Sequence, residues 1–246
     1  MIDIMTTATL RPEILKKTYS SFREKLIKDE PVRIILNVDP VGEDCDPKEV
    51  VDIAMEIFKG APIVWNVPKT PGFSKAFRWC WEQAACDFVL NLEDDWELLE
   101  EIDLNYMKEL LSADGILASL RIPYFAAEEK RMVNWNTEVF PWNGKYFECP
   151  RQMQRLVGFS GHPSLLKGEF VKKCARLIDT TRNPEKQFHA DNQALVAEVM
   201  RWKFGVYGYP KSRKMLFDIG RPWRAKTGWG KKSPTFFFNQ WERITK

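Results

Sequence analysis

The stretch Phe88-Val89-Leu90-Asn91-Leu92-Glu93-Asp94-Asp95-Trp96-Glu97 decides how this chain is read. Phe88 to Leu92 is an apolar run of the length of a buried strand, and it stops in three consecutive carboxylates. Glu93, Asp94 and Asp95 repel one another unless solvent or a cation sits among them. Such a triplet also suits a solvated turn or the start of a helix. The alternative is a metal site, because hard ions such as Mg2+ and Mn2+ take oxygen ligands and need only one or two protein carboxylates when a diphosphate supplies the rest. In an open α/β sheet, ligands gather at the carboxyl ends of strands, where this triplet falls.

Upstream, strand and helix patterns alternate. Ile2 to Thr9 reads as a first strand, and Pro12 opens a helix in which Ile14, Thr18, Phe22 and Leu26 recur every four residues to about Lys28. Val32 to Val38 is a second strand, broken by Asp39-Pro40, and Pro47 starts a helix with Val50, Val51, Ala54, Ile57 and Phe58 on its apolar face. Pro62 to Asn66 is a third strand, and Phe73 to Ala85 a helix turning Phe77, Trp81 and Ala84 inward. Four strands alternating with helices predict a mostly parallel sheet with right-handed crossovers. No GxGxxG follows the first strand and no Walker A sequence is present, which disfavours dinucleotide enzymes and P-loop ATPases.

Downstream, Leu104 to Leu111 predicts a helix and Ile116 to Arg121 a fifth strand. Residues 122 to 155 lose periodicity but hold Tyr124, Phe125, Trp135, Phe140, Trp142, Tyr146 and Phe147, which suits a binding loop or a satellite core. An apolar run at Leu156 to Ser160 and Gly161-His162-Pro163-Ser164 precede a helix at about Glu169 to Ile178. Phe188-His189-Ala190-Asp191-Asn192 opens another helix, with Asp191 in its first turn, and Phe204 to Tyr209 is the last strand.

At 246 residues, with 44% hydrophobic and 13% aromatic residues, the chain is expected to bury a sizeable core. No apolar run reaches a membrane span and Met1 opens no signal-peptide pattern, so a cytoplasmic protein without a membrane span is expected. Five scattered cysteines without a CxxC pair indicate neither a disulfide framework nor a zinc site. Net charge is +3, but residues 201 to 246 hold 12 Lys and Arg against only Asp218 and Glu242. A basic tail beside an acidic site suggests an anionic partner, and diphosphate and nucleic acid both qualify.

Thr-Thr at the end of the first strand, Asp39 after the second, the acidic triplet after the fourth and an Asp at a later helix start together resemble GT-A glycosyltransferases, of the family 2 type, over most of the chain. The resemblance implies an α/β GT-A domain over residues 1–209, with a mostly parallel central sheet flanked by helices. Residues 1–121 would form its nucleotide-sugar half, 122–209 its acceptor half and 210–246 a basic aromatic extension. It places Glu93 in the first position of the Asp-any-Asp motif, Asp94 beside it, and Asp95 in the third position as ligand of a divalent metal, Mn2+ or Mg2+. Thr7, Arg11 and Asp39 would border the nucleobase, with Asn66 and Lys75 nearby. Asp191 is implied as the base that takes the acceptor proton, giving inversion. In this picture Arg221, Arg224 and Lys226 fold over the diphosphate of a nucleotide-sugar donor, a UDP-sugar most of all. Trp223 and Trp229 close against the sugar, and His162 touches the acceptor or the metal.

The acceptor implied is a saccharide or other hydroxyl; hydroxymethylated bases of DNA, which some viral glycosyltransferases modify, are an alternative. Two further readings compete. Nucleotidyl transfer uses the same metal logic but needs a Gly-rich N-terminal loop that this sequence lacks. A nucleic-acid binding module would use the basic tail and its Trp residues as stacking platforms.

Overall fold

A computed structural model describes residues 1–125, 140–190, 192–235 and 238–243, with side chains up to residue 229. The first half follows the alternation. β1 (Ile2–Leu10), α1 (Pro12–Phe22), β2 (Val32–Gly42), α2 (Pro47–Ile57), β3 (Ile63–Asn66), α3 (Phe73–Glu82) and β4 (Phe88–Asn91) succeed one another, with a π-helical turn at Arg23–Ile27 after α1. Local chemistry sets the boundaries. At α2, Asp46 accepts from Lys48 N at 2.8 Å while Glu49 reaches back to Asp46 N at 3.1 Å, and Pro47 sits where no donor is required.

β2 runs past the expected break at Asp39-Pro40. β3 pairs it only from Ile34 to Asn37, so beyond Asn37 just the β1 side is laddered. Pro40 falls in a bulge between the pairs Thr9 with Asp39 and Leu10 with Gly42, where its missing N–H costs no bond. Gly42 has φ +136°, and a Cβ there would lie 2.3 Å from the carbonyl oxygen of Leu10.

The second half contains β5 (Trp96–Leu98), α4 (Leu104–Ala113), β6 (Leu117–Arg121), β7 (Phe147–Glu148), α5 (Gln154–Val157), β8 (Ser164–Lys167), α6 (Gly168–Ala175), α7 (Gln193–Val199) and β9 (Lys203–Val206). It ends in β10 (Leu216–Asp218), α8 (Gly220–Thr227) and a hairpin of β11 (Trp229–Thr235) and β12 (Phe238–Arg243). The central sheet has the order β3-β2-β1-β4-β8-β6-β9-β7. β1 is parallel to β2 and β4, β2 to β3, and β6 to β9, whereas β8 lies antiparallel between β4 and β6.

β8 was not anticipated in the sequence. The apolar run at 156–160 supplies part of one helical turn, and a strand follows at Ser164–Lys167. Leu165 and Leu166 are both fully buried, and a strand covered on both faces shows no alternation to read. The predicted helix at 169–178 ends at Ala175, and the one expected to open around Asp191 begins at Gln193, with the Asn192 side chain capping Leu195 N at 3.1 Å.

One face of the sheet is covered by α1, α2 and α4 with Tyr19, Phe22, Phe58 and Met107; the other carries Trp81 with Phe159, Phe170 and Phe188 around it at 5.5–6.0 Å. Within the aperiodic segment, Phe140, Tyr146 and Phe147 are buried and Trp142 is exposed, while Trp135 lies outside the described residues. No helix among the described residues is long and apolar enough to cross a membrane.

Candidate active site

The acidic triplet is the turn between β4 and β5, at the carboxyl edge of the sheet, and its three members face different surroundings. Asp94 is 2% exposed. Its Oδ2 accepts from Arg11 Nε at 2.8 Å and Thr9 N at 3.0 Å, its Oδ1 from Arg11 Nη2 at 2.5 Å, and its carbonyl from Thr18 Oγ1 at 2.7 Å. The same Arg11 Nη2 reaches Asp95 Oδ2 at 3.0 Å. Burial alone would lower the pKa of Arg11; Asp94 and then Asp95 more than reverse this and hold the guanidinium charged. Arg11, expected at the nucleobase, is therefore the counter-ion that ties the end of β1 to the acidic turn. Glu93 is half-buried and lines the same cleft with Thr7, Thr9, Asp39, Phe73, Asp94 and Asp95.

Asp39 lies at the far side of this cleft, 4% exposed. Gly72 N donates to its Oδ2 at 3.0 Å and Asn37 Nδ2 to its Oδ1 at 3.0 Å; Asn66 in turn donates to Asn37 Oδ1 at 2.7 Å. Burial raises the Asp39 pKa against these two hydrogen bonds, and Asp94 adds to the rise. Asp39 and Asn66 are thus joined through Asn37, a residue the sequence reading passed over because it sits inside an apolar run. Lys75 is exposed on α3.

The segment after β9 returns to the acidic turn. β10 pairs antiparallel with β5, Asp218 opposite Trp96, and Ile219 N donates to the Asp95 carbonyl at 2.9 Å. α8 begins against Asp95: a Cβ on Gly220 would come within 2.1 Å of Asp95 Oδ2, so only glycine admits this approach. Asp218 caps α8 by accepting from Gly220 N and Arg221 N, each at 3.0 Å. Arg224 Nη1 lies 3.3 Å from Asp95 Oδ2 and Nη2 3.8 Å from Asp218. Arg221 pairs with Asp218 at 2.8 Å, and Lys226 is exposed. Trp223 is buried, its Nε1 donating to Glu43 at 2.7 Å and its ring 5.3 Å from the Arg11 guanidinium. Trp229 opens β11 and is half-buried. Asp218 and Gly220 lie in the stretch Asp-Ile-Gly-Arg-Pro-Trp-Arg, of which the sequence reading assigned only Arg221, Trp223 and Arg224, whereas nothing local marks Glu43.

Beyond Trp96 lies a second hollow. The His162 ring packs edge-on against Trp96 at 5.1 Å and tilted against Tyr124 at 5.8 Å. Burial and then Arg121 lower the His162 pKa to about 4, against Glu185 and Asp218, so the imidazole is neutral at pH 7. With Phe159, Glu185, His189 and Ala190 it lines a cavity of about 550 Å³. Asp191, next in sequence, lies outside the described residues.

The donor set defines what a cation could use here. Among the described residues no three His, Cys, Asp or Glu side chains assemble into a metal site. Asp95 offers a single hard carboxylate of the kind Mg2+ and Mn2+ accept when a diphosphate supplies the other ligands, and its Oδ2 is held by Arg11 at 3.0 Å and Arg224 at 3.3 Å.

Neither a family model nor a curated protein matches this sequence. Solved structures do. TarS of S. aureus superposes with a TM-score of 0.57 at 10% identity over 88% of this chain and 36% of its own. A mannosyltransferase of Pyrobaculum calidifontis, PcManGT, solved with GDP-Man and Mn2+, gives 0.56 at 11% identity over 85% of this chain and 54% of its own. TarS 1–349 with UDP-GlcNAc gives 0.54 at 10% identity, over 87% and 57%. The fold is therefore that of the GT-A glycosyltransferases, and this chain spans less than two thirds of each of these neighbours.

Proposed function

We propose that this chain is a glycosyltransferase that moves a sugar from a nucleotide-sugar donor, a UDP-sugar, to an acceptor hydroxyl with the help of a divalent ion. The observation that carries this is the position of Asp95: at the carboxyl edge of the parallel half-sheet, beside the Asp39 corner, with Arg224 of α8 against it. The neighbours bind UDP-GlcNAc and GDP-Man with Mn2+, which supports the donor class and the ion.

Asp39, through Gly72 and Asn37, shapes the end of the cleft that takes the nucleobase, with Thr7 on its wall. Asp95 would hold Mn2+ or Mg2+, and Glu93 would face the ribose. When bound, the ion supplies positive charge where the leaving diphosphate gains negative charge. Arg224, against Asp95, and Arg221, paired with Asp218, would add fixed cations to the same phosphates, and α8 with Trp223 would keep water, a competing acceptor, from the anomeric carbon. Asp191 takes the proton of the acceptor hydroxyl as its oxygen bonds the anomeric carbon. The bond to the diphosphate breaks with its electron pair leaving on the nucleotide, and the displacement inverts the centre. Ala190, the residue before it, lines the 550 Å³ cavity with His162, which supports an acceptor bound there.

Isothermal titration of purified protein with UDP, UDP-GlcNAc and GDP-Man, with and without Mn2+, tests the reading. Metal-dependent binding of at least one donor that Asp95→Asn abolishes is the expected result; donor binding indifferent to Asp95→Asn refutes the site. Asp191→Asn is expected to keep donor affinity and lose transfer.

A further inference from the structure

Exposed cations in several parts of this surface face a carboxylate: Lys28 with Glu101, Lys48 with Asp52, Arg78 with Glu82 and Lys173 with Glu169. The link from β9 to β10 is built differently. Lys211, Arg213 and Lys214 crowd into four residues there, and none has a carboxylate within ion-pair distance among the described residues. Two aromatic rings flank them in the open, Tyr209 at 60% and Phe217 at 41% exposed. Exposed rings set among cations that no carboxylate neutralises make a surface suited to an anionic partner that also carries flat apolar groups.

The face is held in shape. Ser212, 3% exposed, accepts from Tyr209 N at 2.7 Å through its hydroxyl, and its own N–H donates to the Tyr209 carbonyl at 2.8 Å. Gly208 has φ +129° and leaves no room for a Cβ beside Ser212. This turn fixes Lys211 and Arg213 at the surface, while Lys214 lies 4.8 Å from the Phe217 ring and 5.2 Å from Tyr124. Tyr124 meets Trp96 at 5.3 Å and His162 at 5.8 Å, so an aromatic line runs from this face to the acidic turn.

Cations spaced along a surface neutralise successive phosphates, and exposed rings offer platforms for bases. A neutral saccharide would use the rings but not the row of charges; a simple polyanion would use the charges but not the rings. We propose that the face formed by Tyr209, Lys211, Arg213, Lys214 and Phe217 binds single-stranded nucleic acid alongside the cleft. The binding does not depend on the transferase reading.

Fluorescence anisotropy of a labelled single-stranded 20-mer with the full chain, between about 50 and 200 mM salt, tests it. Each phosphate neutralised contributes about −0.7 to the slope of log K against log salt for a single strand, so the triple substitution K211E/R213E/K214E should flatten that slope by roughly 2 and weaken binding at least tenfold. Phe217→Ala should weaken binding by roughly tenfold while leaving the slope unchanged. Equal binding by the triple variant, or no binding by the parent chain, overturns the proposal. So does displacement of the strand by linear polyphosphate at equal phosphate concentration together with no effect of Phe217→Ala. An unchanged melting transition of each variant certifies its fold. Donor titration of the triple variant reports on the transfer cleft separately, so loss of either activity identifies which idea has failed.

Discussion

Arg11 and Arg224 approach the same carboxylate of Asp95 from opposite ends of the chain, and their surroundings give them different tasks. Arg11 is 3% exposed and grips Asp94 through two nitrogens at 2.8 and 2.5 Å before touching Asp95. Arg224 is 25% exposed, reaches Asp95 at 3.3 Å with one nitrogen, and shares itself with Asp218 at 3.8 Å. A buried, bidentate pair has no water to replace a lost partner and behaves as framework. A wet, single contact between long side chains is worth little and exchanges readily for another anion. Ion pairing thus separates two adjacent buried acids: Asp94 belongs to the fold, and Asp95 stands where a framework cation and an exchangeable one meet.

Three substitutions sharpen or break this contrast. Arg11→Met leaves Asp94 buried without its counter-ion and should cost about 3–5 kcal/mol in urea unfolding. A loss below about 1 kcal/mol would show that the interior pair is not framework. Gly220→Ala places a methyl group 2.1 Å from Asp95 Oδ2, so α8 must shift; a loss of about 1–3 kcal/mol and weaker donor binding are expected. Unchanged values of both would mean that α8 does not rest on Asp95. Arg224→Ala should change stability by less than about 1 kcal/mol while weakening donor affinity in calorimetry. If it destabilised the protein as much as Arg11→Met, the two contacts would be equivalent and the distinction would fall.

Much of the first half was legible because parallel strands and their crossover helices leave long periodic signals. Pro12 and Pro47 mark helix starts, and the helical spacing of Val50, Val51 and Ala54 matches the buried face of α2. The second half was less so. β8 is four residues buried on both faces, and β5 and β10 are three residues each, too short to show a period. The site was legible as a list of acids and cations but not as a set of partnerships. Arg11 and Asp94 lie 83 positions apart, and Trp223 and Glu43 180 apart, so no local pattern joins them.

From its sequence alone the chain announced an α/β domain with a mostly parallel sheet, with carboxylates at the end of the fourth strand and basic residues gathered after residue 200. That much follows from hydrophobic period and charge, which are properties of neighbours along the chain. Which carboxylate is sealed into the interior, and which meets α8, was decided only when β1, β4 and β10 came together, because desolvation and ion pairing depend on what lies around a group in space.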